Sequence, residues 1–313
     1  MRKKIIIGSR ASALAIWQAN HIKAAIEKHH NKIEVEINFV STKGDIIVDV
    51  ALSKIGDKGL FTKELEIELI NGTIDIAVHS LKDLETTLPP ELQLVAVTKR
   101  HPVEDVLIAR APGTTINMLP KNGTVATGSL RRRSQLKHIR PDLNVVELRG
   151  NVPTRIQKFM DSDWDAIILA RAGVERLELT DHISSFISMD EMLPAVGQGA
   201  LGIQIKRDNT FAEQIVRFLH DEDTFYAVSA ERSLLRALEG GCQVPIGAYA
   251  KIEDKTLYLE ATVASIDGQR LYRKKTKGEK HDAENIGKML ANNLLEAGAD
   301  TILAEIYRTV RSK

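Results

Sequence analysis

Cysteine is nearly absent from this sequence: 313 residues hold one, Cys242. A lone thiol excludes an intramolecular disulfide and any paired-cysteine metal site, and it fits a reducing compartment. No two histidines stand at the helical spacing of a metal pair, so no metal centre is expected. Long apolar runs are missing as well, and none approaches the ~20 residues that a membrane span needs. The opening "MRKKIIIGSR" has the basic start of a signal peptide, but Gly8, Ser9 and Arg10 cut the apolar run off after Ile5–Ile7, too early for a secretory core. The expected location is therefore the cytoplasm. Net charge is only +1, which excludes a global field for nucleic acid. Aromatic residues make up 4%, and none interleave with the basic run Arg131–Arg133 as a base-stacking platform would require.

What is present is arginine in one place. Eight of the 20 arginines fall between Arg131 and Arg176, and with Lys137 and Lys158 they outnumber six acids by four. Arginine is the residue for planar, bidentate recognition of carboxylate or phosphate, so an anionic ligand is expected. Successive helical residues point ~100° apart, so three adjacent arginines cannot reach one ligand. Arg131 and Arg132 are the expected binders, and Arg133 is left to the surface.

The chain is long enough for two or three domains. Strand-like runs "KIIIG", "VEINFV", "IDIAVH", "LQLVAV", "DVLIA", "TVATG", "NVVEL" and "AIILA" alternate with helical patterns near 11–28, 60–69, 129–138 and 152–160. That alternation predicts parallel sheets with right-handed crossovers. The stretch "STKGDIIVDVALSKIGDKG" is weakly periodic and reads as a loop. Beyond about residue 222 the pattern becomes helix, three neighbouring strands ("IGAYAKI", "LYLEATVAS", "QRLYRKKT") and a helix near 283–296, an α+β module with an antiparallel sheet.

Polar motifs follow the strands. Arg10 and Ser12 come after "KIIIG", "HSLKD" after "IDIAV", "TGSLRRR" after "TVA", "RGNVPTR" after "NVVEL" and "RAGVER" after "AIILA". Open α/β sheets bind ligands at the carboxyl ends of their strands, and helix N-termini there favour anions. Together these motifs predict one anionic cleft between two α/β domains. Gly197, Gly199 and Gly202 spell a dinucleotide fingerprint, but they precede a strand-like alternation, "LGIQIK", where that fingerprint must follow a strand and open a helix. Nicotinamide binding is rejected. His79 is read as structural, and His29 and His30 as surface residues. Cys242, in "EGGCQVPIG", is either a small buried apolar residue or a thiol on a helix-to-strand turn, where a ligand can approach closely.

Together the motifs "GSRASALA", "GDKGLFTKELE", "AVHSLKD", "GSLRRR", "LRGNVPTR", "LPAVGQGALGI" and "LEGGCQVPIG" resemble those of the porphobilinogen deaminase (hydroxymethylbilane synthase) family, essentially end to end. The resemblance implies two α/β domains of the type-II periplasmic-binding-protein kind, 1–100 with 197–219 and 101–196, and a smaller C-terminal α+β domain, 220–313. It implies a monomeric transferase of tetrapyrrole (heme, porphyrin) biosynthesis that joins four porphobilinogen molecules head to tail, with loss of ammonia, and releases hydroxymethylbilane. Growth would start from a dipyrromethane cofactor held by Cys242 through a thioether. Asp83 would be the catalytic acid–base group. Lys82, Asp83, Thr127, Ser129, Arg131, Arg132, Arg149 and Gly150 would bind the cofactor, and Arg10, Ser12, Arg149, Arg155, Arg176 and Gln198 the substrate. Lys54, Lys58 and Phe61 would belong to a lid. Glu85 stands where several relatives have proline, and it is expected to loosen the turn after Asp83. Two other readings compete. A non-catalytic anion-binding protein explains the arginines but gives no reason for Cys242 or Asp83, and a cysteine hydrolase needs a histidine near the thiol.

Overall fold

Largely apolar runs of three to six residues become the inner strands of this chain. A computed structural model describes residues 4–46, 59–238 and 244–311. These divide into two units, one of residues 4–46, 59–101 and 199–225, the other of residues 102–198, 226–238 and 244–311.

In the first unit the order is β1 (Lys4–Ser9), α1 (Ala13–His29), β2 (Glu34–Phe39), α2 (Lys43–Ile46), α3 (Lys63–Asn71), β3 (Ile76–Ser80) and β4 (Leu92–Val97). The second unit continues with β5 (Asp105–Ala109), β6 (Thr124–Ala126), α4 (Leu130–Ile139), β7 (Asn144–Val146), α5 (Val152–Met160), β8 (Ala166–Ala170), α6 (Arg171–Arg176) and β9 (Ser185–Phe186). The chain then returns to the first unit as β10 (Leu201–Lys206) and α7 (Thr210–Val216). The sheet orders are β2-β1-β3-β10-β4 and β7-β6-β8-β5-β9. Taken by role, they are the same order used twice.

Neither sheet is purely parallel, which corrects the expectation from strand–helix alternation. β1 runs parallel to β2 and β3, and β6 parallel to β7 and β8. β10, however, is antiparallel to both β3 and β4, and β5 is antiparallel to β8 and β9. Helical crossovers fix the direction only of the strands they join. β5 and β10 are each the first strand laid down after the chain enters a unit, so no crossover binds them. A consequence for the site is that Asp105, the first residue of β5, pairs with Ala170, the last residue of β8.

The cores follow from the pattern. In β8, residues Ala166–Leu169 are all at most 1% exposed, as expected for a strand covered on both faces. Ile5, Ile7, Ile22, Ile26 and Ile203 are fully buried in the first unit. Each such side chain contributes roughly 1.5–3 kcal/mol by leaving water.

The C-terminal part of the second unit is built from α8 (Glu222–Ala237) from Tyr226 onward, β11 (Ile246–Glu253), β12 (Thr256–Ala264), β13 (Leu271–Glu279), α9 (Ala283–Leu294) and α10 (Asp300–Arg311). Its three strands form an antiparallel sheet with its own core, joined by Leu290, Leu294 and Ile302. The last helix was not read from the sequence. It follows Gly298, whose φ of 110° breaks the helical path between α9 and α10. Glu231 of α8 is fully buried and accepts N–H groups from Gly197 (2.8 Å) and Ala250 (2.7 Å). Paired in this way, a buried carboxylate holds strand β11 and the glycine-rich segment to one helix. Gly197 and Gly199 adopt positive φ before β10, so the fingerprint spelling does sit on the wrong side of a strand. Among the described residues, no helix is long and apolar enough to cross a membrane.

Candidate active site

In the first unit, polar residues collect where parallel strands end. β1 runs out at Ser9, and Arg10 and Ser12 follow directly. Ser12 caps α1, its hydroxyl accepting the Ala15 N–H at 3.4 Å. β3 ends at Ser80, and Leu81–Asp83 form a single tight turn with Leu81 buried and Lys82 and Asp83 half-buried. Arg10, Ser12, Phe61, His79, Ser80 and Asp83 line a cavity of about 60 Å³. The Arg10 guanidinium lies over the Phe61 ring, 4.3 Å from its centroid. Gln18 donates to the Ser80 hydroxyl at 2.8 Å. His79 is buried, with Nε2 2.9 Å from Gln204 Oε1, and Gln204 in turn donates to Glu66 at 2.9 Å. Burial pushes the Glu66 carboxyl up, against the Gln204 hydrogen bond, and the Glu85 charge adds to the rise. Glu85, expected to loosen the turn, accepts the Gly59 N–H at 3.1 Å.

The second unit places its arginines in the same way, at the ends of β6, β7 and β8. Thr127 is buried, and its hydroxyl accepts the Ser129 N–H. Ser129 caps α4 by accepting from the Arg132 N–H. Arg131 and Arg132 are each 5% exposed. They grip a protein carboxylate that sequence reasoning missed: Asp105, at 2.8 Å from each. Their other bonds go to the carbonyls of Leu193 and Ile168. Burial pushes the Asp105 carboxyl up, but the two guanidiniums outweigh it and hold it well below the usual carboxylate range. Burial pulls Arg131 down, and Asp105 acts against that. Gln198, expected to touch substrate, is 1% exposed and donates to Val103 O (2.6 Å) and Asp105 Oδ1 (3.0 Å). The signal for Asp105 was a charge set directly against the apolar run "VLIA", on a strand whose direction decides where it points.

Arg149, Gly150 and Arg155 lie just past β7. Arg155 donates to Gly150 O at 2.7 Å, and Lys158 to Arg149 O at 3.2 Å. Gly150 has φ 117°, closed to ordinary side chains. Gly128 has no room for a Cβ, which would come within 2.7 Å of Leu148 O and 2.8 Å of Glu147 Oε1. The loops after β6 and β7 therefore meet backbone to backbone. Burial pushes Glu147 up, opposed by Arg133, Arg149 and Arg155, and burial pulls Arg149 down. Arg133, left to the surface by the sequence reading, is half-buried and donates to Val145 O. The histidine pair is also not simply surface: His29 stacks on Phe218, and His30 Nε2 reaches Ile215 O at 3.0 Å. Lys54, Lys58 and Cys242 lie outside the described residues.

The second unit suits an anionic ligand. Nε of Arg131 and Nε of Arg132 are buried without a hydrogen-bond partner, although buried donors are ordinarily satisfied. Arg176 is 8% exposed, and burial pushes its pKa down to about 10. Arg176→Gln is expected to lower carboxylate-substrate kcat/KM by about tenfold or more, with a thermal midpoint close to that of the parent. Differential scanning calorimetry beside steady-state kinetics checks both. A variant that melts well below the parent would make Arg176 a structural residue.

Two family models match. The one described as porphobilinogen deaminase, dipyromethane cofactor binding domain, covers residues 5–214, and the porphobilinogen deaminase C-terminal domain covers 225–296. A porphobilinogen deaminase of Chloroherpeton thalassium is 48% identical over 310 residues, 98% of each chain. One of Carboxydothermus hydrogenoformans is 48% identical over 308 residues, 98% of this chain and 99% of that one. The chain belongs to the porphobilinogen deaminase family. Among solved structures it is similar to the periplasmic VFT2 domain of Bordetella pertussis BvgS (13% identity, TM-score 0.42, 74% of this chain and 93% of that one). Every site residue named above except Cys242 falls within the cofactor-binding match. Cys242 falls within the C-terminal match of the same family.

Proposed function

We infer that this chain is a porphobilinogen deaminase, a hydroxymethylbilane synthase, which condenses porphobilinogen head to tail with loss of ammonia. The observation that carries the reading is a half-buried carboxylate, Asp83, on a tight turn in a pocket with Arg10, in a chain whose second unit holds buried guanidiniums with unsatisfied donors. Porphobilinogen carries acetate and propionate side chains and an aminomethyl group, so a growing chain brings two carboxylates per ring. Arg10, Arg149, Arg155 and Arg176 are assigned to those carboxylates, and Arg131, Arg132, Lys82, Thr127, Ser129 and Gly150 to the cofactor.

The dipyrromethane, when bound, supplies a pyrrole with a free α-carbon from which elongation starts, and we assign its anchor to the Cys242 sulfur. The C–N bond of the incoming aminomethyl group breaks as the pyrrole nitrogen donates electron density, and ammonia leaves with a cation remaining on the substrate. The Asp83 carboxylate faces that charge in a small cavity, where electrostatic stabilisation is strongest. With the cofactor bound, its free α-carbon would be the nucleophile, and the C–H bond there would give up a proton in exchange for the new C–C bond. Asp83 is placed to accept that proton and pass it on. Arg10, held over the Phe61 ring, fixes a carboxylate while these steps proceed. We further propose that the enzyme acts as a cytoplasmic monomer, and that the second unit comprises two domains, the arginine-rich one and the cysteine-bearing one.

Intact mass of the purified, denatured protein tests the covalent reading, beside Cys242→Ser. The parent is expected to exceed its sequence mass by two deaminated pyrrole units, and the variant to match it. If both match the bare sequence even after incubation with porphobilinogen, no covalent primer is formed and the mechanism fails.

A further inference from the structure

Glu85 joins two segments that the pocket needs in register. It stands two residues beyond Asp83, on the turn that Leu84 N–H closes onto Leu81 O at 3.3 Å. Its Oε1 accepts the N–H of Gly59 at 3.1 Å. Gly59 has φ 74° and begins the turn that leads into α3, with Phe61 two residues on. Phe61 is held on other sides too. The Leu60 carbonyl accepts the Gly44 N–H at 2.9 Å. Gly44 lies so close to the Phe61 ring that a Cβ there would sit 2.2 Å from it. The Arg10 guanidinium lies over the same ring at 4.3 Å. The Lys43 N–H donates to Glu64 at 3.2 Å, fixing α2 to α3. Of these contacts, Glu85 is the one that comes from the Asp83 turn.

We propose that Glu85 is a positioning residue: by holding the Gly59 N–H it sets the distance between the Phe61 wall of the pocket and the Asp83 carboxylate. A carboxylate accepting an N–H holds more strongly than a neutral acceptor, and it does so here beside Glu66, a second acid. The Gly59 bond holds the Glu85 carboxylate against repulsion from Glu66. Because Phe61 and Asp83 line one cavity, slack between them alters how well each incoming pyrrole is seated. The proposal rests on the reading of Asp83 as the acid–base group of a deaminase.

The test uses the holoenzyme and two variants, Glu85→Ala and Glu85→Gln, with steady-state porphobilinogen kinetics, thermal midpoints and hydrogen exchange at the Gly59 amide. Glu85→Ala is expected to raise KM about five- to tenfold, with kcat within about twofold of the parent, as loss of one charge-assisted hydrogen bond would give. Gly59 should exchange about tenfold faster. Glu85→Gln, which keeps the Oε1 acceptor, should recover most of the KM. An unchanged KM in Glu85→Ala overturns the proposal. So does a Glu85→Gln variant as impaired as the alanine, with both midpoints lowered, which would mark a merely structural role. A parent without turnover would count against the deaminase reading, and the Gly59 exchange rates would still decide whether Glu85 holds that amide.

Discussion

Asp83→Asn is expected to lose about a thousandfold or more in the rate of ammonia release, while folding and melting like the parent. The side chain is half-buried on a turn closed by backbone bonds and a buried Leu81, so an isosteric amide leaves the turn in place. What changes is the charge. A neutral amide neither stabilises a cation left by departing ammonia nor takes the proton released when the C–C bond forms. Each role is worth roughly 10²–10⁴ in rate. Asp83→Glu keeps the charge but moves it by a methylene, and a loss of about ten- to a hundredfold is expected, since small misplacements are costly in catalysis. Single-turnover release of ammonia, measured on protein of confirmed mass, separates the chemistry from product release. An asparagine variant retaining more than a tenth of the parent rate would remove Asp83 from the reaction.

How much of this was legible in the sequence depended on how far apart the cooperating residues lie. Local signals read well. Among the described residues there are thirteen strands, and the strand-like runs coincide with twelve of them. The tiny β9 and the last helix, α10, were missed for want of length or pattern. The motifs after β1, β3, β6, β7 and β8 sit at carboxyl ends of parallel strands, as the alternation predicts. The direction of β5 was not legible, because no crossover helix precedes it. That one error hid Asp105. In a parallel strand it would lie at the far edge of the sheet from the arginines, whereas the antiparallel register sets it opposite Ala170. Arg131, Arg132 and Gln198 were assigned to ligands by the family resemblance, the two arginines also by residue type, and neither signal shows the carboxylate they share. Their shared carboxylate lies 26, 27 and 93 residues away. Glu85 was read as a weakness in a turn because several relatives have proline there, and its partner, Gly59, lies 26 residues upstream, where no local signal points to it.

Asp105→Ala is expected to be among the most destabilising single substitutions in the second unit. It would leave Arg131 and Arg132, each 5% exposed, facing one another without the carboxylate both now grip, and Gln198 without one of its acceptors. Removing one partner of a buried charge cluster typically costs about 3–5 kcal/mol, which for a unit of this size corresponds to a drop of roughly 10 °C in its melting transition. Asp105→Asn keeps an oxygen acceptor but no charge, so a smaller drop is expected. The pH dependence has a definite sign. Arg131 and Arg132 depress the folded-state pKa of Asp105, so its contribution to stability is fully present above the ordinary carboxylate value near pH 4. It is lost as pH falls from there toward the folded-state value. Between about pH 4 and the acid unfolding limit, the parent should therefore lose stability more steeply than Asp105→Ala. Equal acid slopes would mean that Asp105 is not held ionised by its arginines. One further variant separates charge from packing. Replacing Asp105, Arg131 and Arg132 together by apolar residues of similar volume should restore much of the melting temperature, while cofactor-dependent turnover stays lost. Stability would then be recoverable without the charges, and their retention in this chain would be explained by what the two guanidiniums do for an anionic ligand.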